Sequence, residues 1–270
     1  MNKRGQITII IIVGIVMLVI FGIMFYLRGY MTGLKSETSV QLAPSTFFDA
    51  GSIRSYMEGS LTAYATEAIK ELGEQGGYLN LGDVDDVLGA PYFLPYKSFI
   101  LPLNGAGSIA SEISELTEEK FKQRTDLSQF YVLGYNITEL SAYPAINTVI
   151  NAEDVTVSLD YPLEIVKRRS TASLNNFRVR IPIRLNESYD LMRKMVDDID
   201  NDVEYDFAAH CYEYEDNHRS IYTDNQGEND YIVEFWDSKY PLVQYPNRAF
   251  IFRFALKERV MTGECGGGVS

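Results

Sequence analysis

His210 and His218 are the only imidazoles among 270 residues, and Cys211 and Cys265 the only thiols. Outside the cell an even pair of cysteines favours a disulfide. Joining Cys211 to Cys265 would close a loop of about 55 residues and contribute about 4 kcal/mol by restricting the unfolded chain. The rivals are two buried free thiols and a Cys/His metal site, although adjacent His210-Cys211 does not match usual zinc spacings. Carboxylates are plentiful. Asp197, Asp198, Asp200, Asp202, Glu204 and Asp206 fall within ten residues, and Asp224, Glu228 and Asp230 flank Gly227. A calcium loop orders such oxygens as D-x-D-x-D-G, which neither cluster does, so both read as solvated surface. The glycines of Gly73-Glu74-Gln75-Gly76-Gly77 lack the following Lys-Ser/Thr of a phosphate cradle, and they close a helix instead of opening one. No G-x-S-x-G, H-E-x-x-H, P-loop or C-x-x-C is present, and the sequence predicts no catalytic residue, no metal ligands and no cofactor. Two Asn-X-Ser/Thr sequons make Asn136 and Asn186 candidate N-glycosylation sites.

The segments that must hold these residues begin with a leader. Residues 7–27 read ITIIIIVGIVMLVIFGIMFYL, an apolar run of 21 residues that as a helix covers the ~30 Å hydrocarbon core of a bilayer. It is longer than the apolar part of a cleaved secretory signal and runs into Tyr26-Leu27-Arg28 in place of small residues. Residues 1–28 therefore predict a transmembrane anchor. Lys3 and Arg4 precede the span, while Arg28 and Lys35 follow it with Glu37 close behind, which favours a cytoplasmic N-terminus and an extracellular head. Because residues 1–28 hold three basic groups and no acid, the net charge of -13 conceals a remainder at -16. Nucleic acid is a poor partner for it, since phosphate neutralisation needs clustered Lys and Arg. An apolar fraction of 46% with 13% aromatics supports a packed core rather than a disordered acidic tail.

Lys3-Arg4-Gly5-Gln6 before an Ile-rich helix resembles the class III (prepilin-type) signal sequences of archaea. That resemblance implies cleavage by a membrane peptidase between Gly5 and Gln6. Two departures bear on it: Ile10 stands where many prepilins carry a glutamate, and Gly29, Gly33 and Pro44 interrupt what would be a continuous pilin stem. Ser55-Tyr56-Met57-Glu58 and Leu72-Gly73-Glu74-Gln75-Gly76-Gly77-Tyr78 resemble a family of membrane-anchored archaeal proteins with no assigned activity. Its members share a KRGQ-type leader and a GxQGGY helix end. Leu94-Pro95-Tyr96, Leu159-Asp160-Tyr161-Pro162 and Phe250-Ile251-Phe252-Arg253-Phe254 fit the same pattern, while Ser60 stands where many relatives place a cysteine. The resemblance implies membrane anchoring and an α+β ectodomain.

Behind the anchor, residues 29–51 read as a stem, 52–260 as the ectodomain and 261–270 as a flexible tail. A first helix is predicted over 52–73, with apolar residues at three- and four-residue steps from Ile53 to Leu72. Ser52 can cap its start, and Gly73 or Gly76-Gly77 can end it. Pro91–Leu103 is aromatic and Pro-punctuated, as an edge strand or hairpin is; Tyr92, Phe93, Tyr96 and Phe99 there could also form a sugar- or peptide-binding groove. A second helix follows over 108–124. Between 146 and 185 the apolar period becomes two, with a turn in Arg168–Asn176, which predicts an antiparallel hairpin with one buried face. Helix 187–199, capped by Asn186, leads to strands near 220–223, 231–237 and 248–257. The predicted fold is α+β: an N-terminal transmembrane helix, then helices packed on a mostly antiparallel sheet.

Three functions suit this organisation. The first is a single-pass, outward-facing surface or interaction protein whose partners are the bilayer and other surface proteins or itself. The second is a pilin-like filament subunit processed after Gly5. The third is a membrane-tethered envelope enzyme, because the members of a catalytic triad need not be neighbours in sequence.

Overall fold

A computed structural model describes residues 44–82, 84–94, 97, 100–201, 204–206, 219–227, 230–239, 249–257 and 260–262, all within the unit Leu42–Ser270. The leader with Gly5 and Gln6, the residues His210, Cys211, His218 and Cys265, and the 263–270 end of the tail lie outside the described residues. Among the described residues no helix is long and apolar enough to cross a membrane.

Helix α1, Pro44–Glu74, is the longest element, about 46 Å at helical rise. It starts eight residues before Ser52, because a proline in the first turn sacrifices an N–H that has no intrahelical partner anyway. Ile53, Met57, Leu61, Ala65, Ala68, Ile69 and Leu72 form its fully buried stripe. The end is a Schellman cap: the Gly77 N–H reaches the Leu72 carbonyl at 2.6 Å and the Gly76 N–H that of Gly73 at 3.2 Å. Gly76 holds φ at +62°, where a side chain would be strained. Gly73 lies one turn inside the helix and has a packing role instead, since a Cβ there would stand 2.4 Å from the Ile251 carbonyl oxygen.

Strands β1 (Asp86–Val87) and β2 (Ala90–Leu94) form a tight hairpin through Leu88 and Gly89, both at positive φ. Helix α2, Ile109–Arg124, starts at Ser108, which exchanges a capping box with Ser111. A short helix α3 (Ser128–Val132) and strands β3 (Asn136–Glu139), β4 (Ala145–Ile150), β5 (Val155–Lys167) and β6 (Ser170–Ile181) follow. The β5–β6 pair is the antiparallel hairpin that the period-two pattern predicts. Its loop is only Arg168-Arg169, with Lys167 opposite Ser170, and the register shifts between Asp160 and Leu163. Pro162, which cannot donate to a ladder, sits in that bulge, and its carbonyl accepts the Leu140 N–H at 2.9 Å. β3 and β4 pair with opposite ends of β5, making a four-stranded sheet.

Helix α4, Leu185–Asn201, begins two residues before the predicted 187. The Arg184 carbonyl accepts the Ser188 N–H at 3.1 Å, so Arg184 holds the cap position expected of Asn186. The remaining strands are β7 (Glu204–Asp206), β8 (Arg219–Gly227), β9 (Asp230–Asp237), β10 (Phe250–Leu256) and β11 (Val260–Thr262). The second sheet runs β1-β2-β10-β9-β8, antiparallel except where β2 meets β10, so β2 is an inner strand in place of an edge, while its pairing with β1 makes a hairpin, the other form expected of this stretch. β7 and β11 form a separate parallel pair. The head is α+β. Helix α1 touches both larger sheets, at β6 through Arg54 and the Asn176 carbonyl and at β10 through Gly73, so one apolar core joins them.

Helices α1 and α2 are also bridged by charge. Lys120, 8% exposed, lies 3.1 Å from Glu67 and 2.9 Å from Glu71, and Arg124 lies 2.7 Å from Glu67. Burial pushes the Glu67 carboxyl up, but the hydrogen bonds and charges of Lys120 and Arg124 outweigh it and hold the group below its ordinary 4.5. A carboxyl depressed in the folded state stabilises above its unfolded pKa, and that contribution is lost as pH falls through the folded one. Thermal unfolding from neutral pH to below the carboxylate range tests this. Lys120→Met is expected to lower Tm near neutrality and to narrow its gap from the parent on acidification; a constant gap would refute the bridge.

Candidate functional site

The alternation of β9 divides its side chains between two faces. Tyr231, Val233 and Phe235 enter the core, whereas Asp230, Ile232, Glu234 and Trp236 lie on the opposite face of the sheet. Ladder pairing sets Tyr222 and Arg253 beside Glu234, and Ala255 beside Ile232. Here Glu234 is the hub. It accepts the Trp236 indole N–H at 2.9 Å and the Arg253 Nε–H at 2.7 Å, and the Tyr222 and Trp236 rings meet at 5.0 Å. Leu88, Tyr222, Asp224, Ile232, Glu234 and Arg253 line a depression of about 220 Å³.

Toward β2 the same face carries Tyr92, packed with Ala90, Ile232 and Ala255. Its hydroxyl donates to Asp230 at 3.0 Å and Lys257 lies 5.0 Å over its ring. Burial, then the bond to Asp230 and the charges of Asp85 and Asp86, push the Tyr92 phenol well above its ordinary value. It is therefore a neutral hydrogen-bond donor. The face offers aromatic rings, carboxylates and one guanidinium, with no nucleophile–base pair among the described residues. Such a set suits recognition by stacking and hydrogen bonding better than group transfer.

A larger depression, about 390 Å³, lies across β4, β5 and β6 and includes Asn147, Ser158, Asp160, Asn176 and Arg178. Ala145, Ile146, Leu159 and Phe177 line it beside these polar groups.

The residues singled out in the sequence distribute unevenly. Tyr92 joins the β9 face, Phe93 is buried against Phe254 at 5.4 Å in the core, and Tyr96 and Phe99 lie outside the described residues. The aromatic run is thus split between two faces of one strand. Asp197 and Asp200 hold Lys97 at 2.7 and 2.9 Å in a surface bridge, and Asp202 lies outside the described residues. Asp224 accepts from Gln226 at 2.6 Å, Asp230 from Tyr92, and Glu228 lies outside the described residues. No group of three or more metal-ligating side chains occurs among the described residues. Asn136 is exposed at the start of β3, whereas Asn186 lies in the first turn of α4 and donates to Asp190 at 3.1 Å, with sequon residue Ser188 buried. Glu234, Trp236 and Arg253 escaped the sequence reading, because their meeting depends on the pairing of β9 with β10. No family model, curated protein or solved structure matches the chain, so the site stands on its own chemistry.

Proposed function

We propose that the chain is a single-pass, membrane-anchored interaction protein with its N-terminus in the cytoplasm and its α+β head outside the cell. The observation that carries this reading is the apolar run Ile7–Leu27 between Lys3-Arg4 and Arg28. The head adds support through the outer face of β9, where the tilted rings of Tyr222 and Trp236 meet beside the Glu234–Arg253 pair. Aromatic residues and arginine are the side chains enriched where proteins meet partners. The resemblance of residues 3–6 to a prepilin-type signal belongs to the same proposal, since an uncut leader and a cut one both begin as an anchor.

The test is the intact mass and N-terminal peptide of the protein from native membranes, with lysines of intact cells labelled by a membrane-impermeant reagent. The expected result is a start at Met1 or Asn2 and label on the head. A start at Gln6 would favour the filament subunit instead, and an unlabelled head that becomes labelled after lysis would refute the outward orientation.

A further inference from the structure

One corner of the head is apolar where it meets water and basic immediately beside. Helix α3 runs into Val132 and Leu133, which are 89% and 62% exposed. They are not a frayed end. Phe130 is buried below them, meeting Tyr56 of α1 at 5.3 Å and Tyr135 at 6.0 Å, and the Leu133 and Tyr135 N–H groups both bond the Phe130 carbonyl. The pairing of Asn136 with Val166 brings this turn to the β5–β6 hairpin tip, Lys167-Arg168-Arg169. Lys167 Nζ stands 3.9 Å from the centre of the Tyr135 ring. Arg168 and Arg169 are exposed, and no ion pair engages either among the described residues. Of the carboxylates on adjoining elements, Asp126 is taken up by Ser128 at 2.7 Å and Glu139 by Tyr161 at 2.5 Å; Glu164 is exposed on β5.

We infer that this corner docks on the anionic headgroup surface of the bilayer that anchors the chain. Val132 and Leu133 enter the acyl boundary while Lys167, Arg168 and Arg169 meet lipid phosphates. The inference rests on the anchored reading above. Large exposed apolar side chains mark contact sites, and a rim of cations beside them is the composition that binds an anionic lipid interface. Charge complementarity selects the lipid, since three consecutive cations stand here on a chain of net charge -13. The tether allows it. Sixteen residues separate Pro44 from Leu27, a reach of about 55 Å when extended, and Tyr56, which touches Phe130, lies about 18 Å along α1 from Pro44. Asn136 adjoins the same corner, so a glycan there and lipid contact exclude one another.

The test is hydrogen exchange of the full chain in nanodiscs of phosphatidylcholine, with or without phosphatidylglycerol. Amides 129–135 are expected to exchange about fivefold more slowly or better on the anionic discs, as the gain from a single cation near such a surface implies. Val132→Ser with Leu133→Ser, and separately Arg168→Glu with Arg169→Glu, should remove that protection and leave β5 unchanged. Equal rates on both discs, protection that grows with the number of copies per disc, or a glycan on Asn136 from native membranes would each overturn the docking. A chain that carbonate strips from native membranes refutes the anchor and the docking together. One that stays inserted but unprotected refutes the docking alone.

Discussion

Gly73→Ala is expected to destabilise the protein by about 1–3 kcal/mol, against the usual sign for this exchange in a helix. Alanine favours a helix interior over glycine by about 1 kcal/mol, so the expected loss must come from packing. At Gly73 the added methyl would sit 2.4 Å from the Ile251 carbonyl oxygen and 2.8 Å from the Phe250 ring. The first of these is backbone inside the β10 ladder and cannot rotate away. Gly59 supplies the contrast, because it lies in the same helix with nothing within 4 Å of a new Cβ. Gly59→Ala should stabilise by up to about 1 kcal/mol. Denaturant unfolding of both variants in one detergent, followed by far-ultraviolet circular dichroism, gives the comparison. Equal stabilities for the two would show that α1 does not cross β10 at Gly73.

The second large effect concerns Arg184 and Asp237, each 5% exposed at the side chain. Arg184 donates from Nε at 2.7 Å and from Nη2 at 2.6 Å to the two carboxylate oxygens, and Asp237 also accepts the Lys239 N–H at 2.9 Å. The pair fastens the start of α4 to the end of β9. Asp237→Ala leaves a buried guanidinium without its main counter-charge and is expected to cost about 3–5 kcal/mol. The double variant Arg184→Met, Asp237→Leu should recover much of that loss, since apolar side chains of similar volume avoid the desolvation of two charges. A double variant as unstable as Asp237→Ala would show that the pair contributes more than mutual neutralisation. Chemical unfolding of the parent and both variants decides it.

Legibility followed the range of the contacts. The buried stripe of α1, the second helix near 108–124 and the alternation of β5 and β6 are local patterns, and they read directly from sequence. The predicted turn Arg168–Asn176 was too long because Arg168 itself takes a φ of +56°, a conformation its residue type does not advertise. Gly73 looked like a cap because its packing partner, Ile251, lies 178 positions away. Arg184 was passed over as a cap because its fixed position comes from Asp237, on another element. The β9 face was hidden for the same reason, its parts lying on β2, β8, β9 and β10.

The order β1-β2-β10-β9-β8 also sets a timetable. Tyr92 and its ladder partner Ala255 are 163 positions apart, so at ribosomal speeds about 10–30 s separate the synthesis of β2 from that of the strand beside it. Throughout that delay the β1–β2 hairpin has one unsatisfied side, and two-stranded hairpins are marginal alone in water. The second sheet is therefore assembled after translation is nearly over, while β3 to β6, all within 46 residues of one another, can pair as they emerge. Nascent chains halted before residue 250 should already protect β5 from proteolysis and still expose β2 to it.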